Sequence, residues 1–506
     1  MTGLCHGKLP VANQMRLSRG HGVHGHTIRS AVFIASIAGL YISVAMLAPA
    51  IVDFYFGNPD WQVFAVSSFV VGAICLAAAA ANRGINAPFS RRLGFLVVNL
   101  LWITLSVTGA IPFYLASLGL DMADALFESV SAVTTTGATV ISGLDTAPPG
   151  LLLWRSLLQW IGGIGIVALG LLVLPYLKVG GFTVFKMESS DTSEKPFERF
   201  ALFVRAFFAI YIGLTAVCAI LYMVLGMNVF DAVNHAMTTM ATGGFSTHDA
   251  SFGAFQSPAL VWTATVFMII AGLPFSVLIL FVVRGRWDAL RDPQIFAYAG
   301  ILLVLTILIA LSLRLSNGEG FAMALTHAAF NVVSVVTTTG YASADYTLWG
   351  PLSVAILFMA TFLGGCSGST SGGIKAYRLV IISSSIRSGL MRLIYPNSVR
   401  PVRYGSVAVE PDMQRTVVLF VCAYIGIWAL GSVALAATGL DIETAISGSI
   451  TALANVGPGI GPIIGPAGNF SSLGDPAKII LVFLMLLGRL EILVVLVLLM
   501  PAFWRA

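Results

Sequence analysis

Long apolar runs dictate what this chain can become. Stretches at 31–51, 62–82, 93–117, 151–176, 200–226, 258–283, 295–315, 350–385 (with a break), 413–438 and 477–500 are mostly apolar and carry few charges. About 20 such residues in a helix cross a hydrocarbon layer of roughly 30 Å. Of the 506 residues, 58% are hydrophobic and only 10% charged, a balance foreign to soluble domains of this size. Backbone polar groups facing lipid must bond within their own segment. The expected fold class is therefore an all-α polytopic membrane protein of ten spans.

Between certain spans lie shorter, more polar segments: Asp121–Val133, Asn228–Ala241, Gly320–Val336 and Asp441–Leu453. At about 1.5 Å per residue each can enter a membrane as a helix but not cross it. Each is followed by a glycine-containing stretch and another span, so the pattern span, re-entrant helix, loop, span occurs four times. The loops align as Thr134-Thr135-Thr136-Gly137, Ala241-Thr242-Gly243-Gly244, Thr337-Thr338-Thr339-Gly340 and Ala454-Asn455-Val456-Gly457. In that register Ala125, Ala232, Ala328 and Ala445 coincide, as do Asp121, Asn228 and Asp441. A slip of the second copy to Gly243 would lose the match of Asp231 with Asp124.

Basic residues cluster on alternate connections: Arg83, Arg91 and Arg92; Lys178, Lys186, Lys195 and Arg199; Arg284, Arg286 and Arg291; Arg378, Arg387, Arg392, Arg400 and Arg403. The positive-inside tendency puts these, and both termini, in the cytoplasm of a bacterial inner membrane, with the re-entrant segments entering from outside. Residues 1–28 lack the apolar core of a signal peptide and read as a loosely ordered tail; His21, His24 and His26 have no second ligand cluster to make a metal site. Cys5, Cys75, Cys218, Cys366 and Cys422 are too scattered for a disulfide framework and read as packing residues. The formal charge of +5 is placed on membrane-flanking loops, which makes nucleic acid an unsuitable partner.

Threonine and glycine in the four loops point to a cation path. A dehydrated alkali ion needs oxygen ligands, which backbone carbonyls supply with help from threonine hydroxyls; glycine permits the dihedrals that turn successive carbonyls inward. Each short helix would also aim its partly negative C-terminus at the centre. A single Thr-Thr-Thr-Gly is more simply a helix C-cap; four copies between apolar spans favour a filter formed by Thr135, Thr136, Gly137, Thr242, Gly243, Gly244, Thr338, Thr339, Gly340, Asn455, Val456 and Gly457. The fourth copy lacks threonine, so the ring is only approximately fourfold.

These repeats, together with Trp154-Arg155-Ser156-Leu157-Leu158-Gln159-Trp160-Ile161-Gly162-Gly163-Ile164-Gly165, the run from Gly364 to Lys375, and Gly488-Arg489-Leu490-Glu491, resemble the TrkH family of potassium uptake proteins over nearly all of the chain after residue 30. The resemblance implies four span–pore helix–span units around a central pore, at 93–178, 179–291, 292–404 and 405–506, preceded by a tail at 1–30 and an extra helix pair at 31–92. It also implies a homodimer and a cytosolic, nucleotide-binding partner, TrkA, that sets activity. The family's filter glycines fall on Gly137, Gly244, Gly340 and Gly457. In related plant and fungal transporters a serine at the first position accompanies sodium transport, so Gly137 supports potassium as the transported ligand; no cofactor is implied.

Within the third unit a span is interrupted by Gly364, Gly365, Gly368, Gly372 and Gly373 among serines, each glycine costing about 1 kcal/mol in a helix. The resemblance makes this an intramembrane loop below the filter with Lys375 at its inner end, a gate; the alternative is close helix packing by small residues. Arg489, inside an apolar span, needs company: it is either a pore-proximal charge or an anchor to another repeat, and Glu491 lies on another helical face. Glu128, Asp231, His235, His327 and Asn331 read as hydrogen-bonding supports of the re-entrant helices, and Arg155, Arg314 and Lys478 as markers of outer span ends. Basic loops at 284–291 and 387–403 suit a partner or anionic lipid headgroups. A potassium–proton or potassium–sodium symporter is the alternative function. An enzyme is disfavoured, since no HExxH, GxSxG or paired-carboxylate arrangement is present.

Overall fold

The computed structural model describes residues 11–84, 90–172, 196–316, 318, 320–397 and 399–505. Seven described helices are long and apolar enough to cross a membrane, or nine if two bent pairs each count as one span. Their cores follow the apolar runs: Trp61–Ala81, Arg91–Leu115, Pro149–Leu172, Pro196–Val224, Pro293–Ser316 and Pro411–Ala436. The first span is Val11–Ala45 continued by Leu47–Phe56. Its helix takes in much of what the sequence assigns to a loose tail, because a helix nucleated on a packed apolar segment extends at little cost per residue. Cys5, the side chains of His21, His24 and Arg199, residues Lys178, Lys186 and Lys195, and the expected unit boundary at 178–179 lie outside the described residues. Among the described residues no cluster of His, Cys, Asp or Glu suits a metal ion, and Cys75, Cys218, Cys366 and Cys422 are unpaired thiols.

Two expected straight spans are bent. Pro258–Ala271 turns by 97° into Phe275–Arg284, where Gly272-Leu273-Pro274 combines a flexible residue with one that lacks an N–H and clashes with the preceding turn. Asp475–Arg489 turns by 111° into Ile492–Leu499, with Glu491 at φ 58°, so Arg489 ends a helix rather than sitting inside one. The expected break in 350–385 is real: Pro351–Ala360 and Ala376–Ile394 are separated by the glycine–serine segment.

The four short helices are Met122–Val133, Val229–Met240, Phe321–Val336 and Ile442–Ala454. Three begin on the residues that coincide in the sequence register. Asp121, Asn228 and Asp441 accept hydrogen bonds from the N–H groups of Asp124 (2.7 Å), Asp231 (2.8 Å) and Thr444 (2.9 Å), N-caps of a kind worth about 1 kcal/mol each. The fourth starts at Gly320 without a side-chain cap.

Each short helix packs against the first span of its own unit, and the first three also against the last long helix of the preceding unit in a ring. Met122–Val133 meets Asp475–Arg489, Val229–Met240 meets Pro149–Leu172, and Phe321–Val336 meets Pro258–Ala271. The junction of the third and fourth units is looser: a cavity of about 550 Å³ opens between Pro351–Phe358 and the Glu443–Ser447 turn of the fourth short helix. The face where the short helices begin is called upper below. On the lower face a hairpin joins the third unit to the fourth, Arg403–Tyr404 paired antiparallel with Val407–Ala408.

Candidate functional site

The ends of the four short helices repeat one local structure. The N–H groups of Thr136, Gly243, Thr339 and Val456 donate to the carbonyls of Ser131, Thr238, Ser334 and Thr451, five residues back, at 2.8, 2.9, 2.8 and 3.0 Å. One residue earlier, Thr135, Thr242, Thr338 and Asn455 donate to Ala132, Thr239, Val335 and Ala452. These are the paired bonds of a Schellman cap, which requires a left-handed residue at the turn: φ is 53°, 50°, 56° and 58° at Thr135, Thr242, Thr338 and Asn455. The C-cap and the cation-loop readings of these motifs thus describe the same backbone.

Two residues on, the chain turns left-handed again, at Gly137 (84°), Gly244 (74°), Gly340 (84°) and Gly457 (109°). This alternation settles the register of the second copy on Gly244 rather than Gly243. It also explains the glycines by space. A Cβ on Gly137 would fall within 3.0 Å of the Gly243 carbonyl oxygen; on Gly244, of Thr339; on Gly340, of Val456; on Gly457, of Thr136. Each glycine therefore makes room for the middle carbonyl of the next unit, in the order one, two, three, four, one. Thr135, Thr136, Thr242, Thr338, Thr339, Asn455 and Val456 are fully buried.

Side chains from neighbouring units brace this ring. Gln159 donates to the Gly243 carbonyl (2.6 Å) and accepts from the N–H of Phe245 (3.2 Å). Asn455 donates to Thr136 Oγ1 (3.0 Å) and to the Met485 carbonyl (2.9 Å). The Tyr341 hydroxyl donates to the His235 carbonyl (3.1 Å) and lies 2.5 Å from Thr238 Oγ1. Gln159 and Tyr341 escape the sequence argument, although a glutamine inside an apolar span is a readable signal; Tyr341 offers none.

Arg155 and Lys478 are corrections. Arg155 does not mark an outer span end. It is 1% exposed and paired with fully buried Glu128 at 2.7 Å, donates to the Ser246 carbonyl at 2.9 Å, and lies over the Phe245 ring. Lys478 is near a helix start but binds Asp124 at 2.5 Å across the unit-four to unit-one junction. Arg314 does sit in the last turn of its helix, exposed. Glu128, His235 and Asn331, nine residues before their glycines, each reach the irregular segment beyond the turn: Glu128 accepts from Thr139 and Val140, His235 bonds Ser246 Oγ at 3.0 Å, and Asn331 donates to Ser343 Oγ at 2.8 Å. His327 bonds the same Ser343 hydroxyl, and Asp231 accepts from Thr247.

Beneath the ring lies the glycine–serine segment, folded on itself by hydrogen bonds from Gly364 to Ile374 and from Ile374 to Phe362, with Gly368 and Gly373 at positive φ. It is wedged among three units. The N–H of Gly372 donates to Thr338 Oγ1 at 2.7 Å, Thr242 Oγ1 donates to Thr370 Oγ1 at 3.1 Å, and the N–H of Cys366 donates to the Gly272 carbonyl at 2.9 Å. A Cβ on Gly372 would overlap the Ala454 carbonyl, and one on Gly364 the segment's own Gly372 carbonyl; Gly365 is hemmed in by Ser371 and the Gly272 carbonyl. Such close seating, rather than helix-to-helix contact, is what the small residues serve here. Arg489, 2% exposed, donates to the Thr370 carbonyl at 2.8 Å. Lys375, also buried, turns its ammonium to the Ser371 carbonyl. Glu491 pairs with Arg378, whose guanidinium stacks over Phe420 at 3.5 Å. Lys375, Arg378, Arg489 and Glu491 line a small cavity below the segment; above the ring, a second depression is lined by Gly137, Gly244, Gly340, Arg155, His248 and Asp249.

A family model described as TrkH, cation transport protein, matches residues 62–313 and 318–505. The chain is 43% identical to the Trk system potassium uptake protein TrkI of Halomonas elongata over 93% of its own length and 96% of that protein. It is 36% identical to the Trk system potassium uptake protein TrkH of Escherichia coli, covering 93% and 99%. The crystal structure of the potassium transporter TrkH from Vibrio parahaemolyticus superposes with a TM-score of 0.87 at 35% identity, covering 94% of this chain and 99% of that one.

Proposed function

The chain belongs to the TrkH family of cation transport proteins, and from that premise we propose that it is the potassium-translocating subunit of a Trk-type uptake system, conducting through the ring of four glycine turns. The observation that carries this reading is the closure of that ring, each unit's middle carbonyl filling the space left by the preceding unit's glycine. Four such turns bring main-chain oxygens and the negative ends of four helices to one centre, which favours a dehydrating cation. Thr135, Thr136, Gly137, Thr242, Gly243, Gly244, Thr338, Thr339, Gly340, Asn455, Val456 and Gly457 form the filter in this reading. The segment with Gly364, Gly365, Gly368, Gly372, Gly373 and Lys375 is the gate, and Arg489 is the pore-proximal charge that holds it at Thr370.

The same reading takes the units at 93–178, 179–291, 292–404 and 405–506, after a tail at 1–30 and a helix pair at 31–92. It places the protein in a bacterial inner membrane with both termini cytoplasmic, as a homodimer working with a TrkA-like nucleotide-binding subunit on the basic lower face. A coupled symporter is less well supported, since parallel repeats around one ring require no alternation of access.

Flux into liposomes of potassium, rubidium, sodium and caesium tests the reading, comparing the wild type with Gly137→Ser. A serine Cβ meets the Gly243 carbonyl, so the ring must shift. The wild type should favour potassium and rubidium, and the variant should lose that preference while keeping its flux. A wild type that passes all four ions equally would sink the proposal.

A further inference from the structure

The glycine–serine segment is tied to the lower surface by a continuous chain of hydrogen bonds. The N–H of Ser367 donates to Gln294 Oε1 at 2.8 Å, and Cys366 Sγ approaches the Gln294 carbonyl at 3.8 Å. Gln294, 1% exposed, stands in the first turn of Pro293–Ser316. Its own N–H and its side-chain amide both donate to the carboxylate of Asp292, at 3.0 and 3.3 Å. The third donor to that carboxylate is the hydroxyl of Tyr404, on the inner side of the lower hairpin. Burial and the adjacent Asp292 both push the Tyr404 phenol well above its ordinary pKa, so it remains a donor.

The hairpin also grips the other end of the segment. Ala376–Ile394 leaves directly from Lys375, and on that helix Ser384 Oγ accepts from the N–H of Arg403 at 3.0 Å while Ser388 Oγ donates to the Arg400 carbonyl at 2.8 Å. Val402, Tyr404 and Val409 point inward onto Tyr377 and Ile381, whereas residues 405–408 face solvent. One small exposed element is thus fastened to both flanks of the segment that blocks the ring.

We propose that the hairpin 402–409 is a staple holding the gate shut, with Tyr404, Asp292 and Gln294 as positioning residues that carry force from the lower surface to Ser367. The inference rests on the gate reading above. Freeing Tyr404 leaves a half-buried carboxylate short of one donor and loosens Gln294, and with it the first half of the segment; hydrogen bonds to charged groups are strong enough for their loss to move such an equilibrium measurably. A cytosolic partner that draws on the exposed turn at Gly405-Ser406 would reach the gate by the same route.

The test is rubidium uptake into liposomes by full-length wild type, Tyr404→Phe, Gln294→Leu, the double variant and Val417→Ala, with melting temperatures alongside. Val417 is buried in the same apolar cluster but outside the hydrogen-bonded chain. Tyr404→Phe should raise basal uptake about threefold to tenfold with an unchanged potassium-to-sodium ratio. Gln294→Leu should do the same, and the double variant should add little, since both cut one chain. Val417→Ala should lower the melting temperature without raising uptake. The staple is overturned if the two substitutions multiply independently, if uptake rises only in proportion to lost stability, or if Tyr404→Phe conducts like the wild type. A wild type without potassium flux would instead defeat the proposed function.

Discussion

Threonine is a β-branched residue that resists positive φ, yet Thr135, Thr242 and Thr338 all adopt it. Strain of about 1 to 3 kcal/mol at such a position persists only where surroundings impose it. Here the hydroxyls of Thr242 and Thr338 hold the glycine–serine segment, and the fourth unit avoids the strain with Asn455, which tolerates the left-handed region better. Buried charge is equally constrained. Replacing Arg155 with Met should cost about 3 to 5 kcal/mol by stranding the Glu128 carboxylate, read as a large fall in melting temperature, whereas pairing it with Glu128→Leu should recover much of the loss.

His248 adds a pH-dependent contact at the upper face, 2.5 Å from Asp145 and 3.2 Å from Asp231. Partial burial opposes its proton, but the two carboxylates outweigh it and raise its pKa; the His248 hydrogen bond in turn lowers that of Asp145. A raised folded-state value means the contact contributes fully below the ordinary imidazole pKa of 6.5 and is lost as pH rises through the higher value. The melting temperature of the wild type should therefore exceed that of His248→Gln at pH 5.5, and the difference should shrink as pH rises.

Among elements, the short helices owe their form to signals a sequence displays: Asp121, Asn228 and Asp441 as N-caps, and a glycine two residues past each left-handed turn. The bends at Gly272–Pro274 and Arg489–Glu491 were less legible. Pro274 gave a local cue that the apolar run around it masked, and the second bend has no proline at all. The glycine–serine segment combines both kinds of information. Its glycines announce a break, but only its seating shows that Gly372 must lack a side chain. Gly372→Ala should unseat the segment from Ala454 and raise basal rubidium uptake at least about tenfold, since a forced overlap with backbone costs more than the ~1.4 kcal/mol that a tenfold shift represents. Unchanged uptake in a folded variant would contradict the gate reading.

Across the whole molecule, contacts between units join the turns that contacts within each unit shape: Gln159 to the second turn, Tyr341 to the second helix, Asn455 to the first turn, and Lys478 to Asp124. Gln159→Leu should leave the fold intact but free the Gly243 carbonyl, reducing the potassium-to-sodium permeability ratio about tenfold for a lost hydrogen bond of roughly 1.4 kcal/mol. Reversal potentials under bi-ionic conditions measure it.

Spans, short helices, register and the positions of the four glycines follow from the sequence, because hydrophobic length, capping chemistry and the need for positive φ are properties of neighbouring residues. Which carbonyl each glycine must clear, why Arg155 is buried, and how Tyr404 reaches the glycine–serine segment emerge only in three dimensions. Those depend on residues from 16 to more than 300 positions apart meeting in one place, and no local pattern encodes a partner that packing alone delivers.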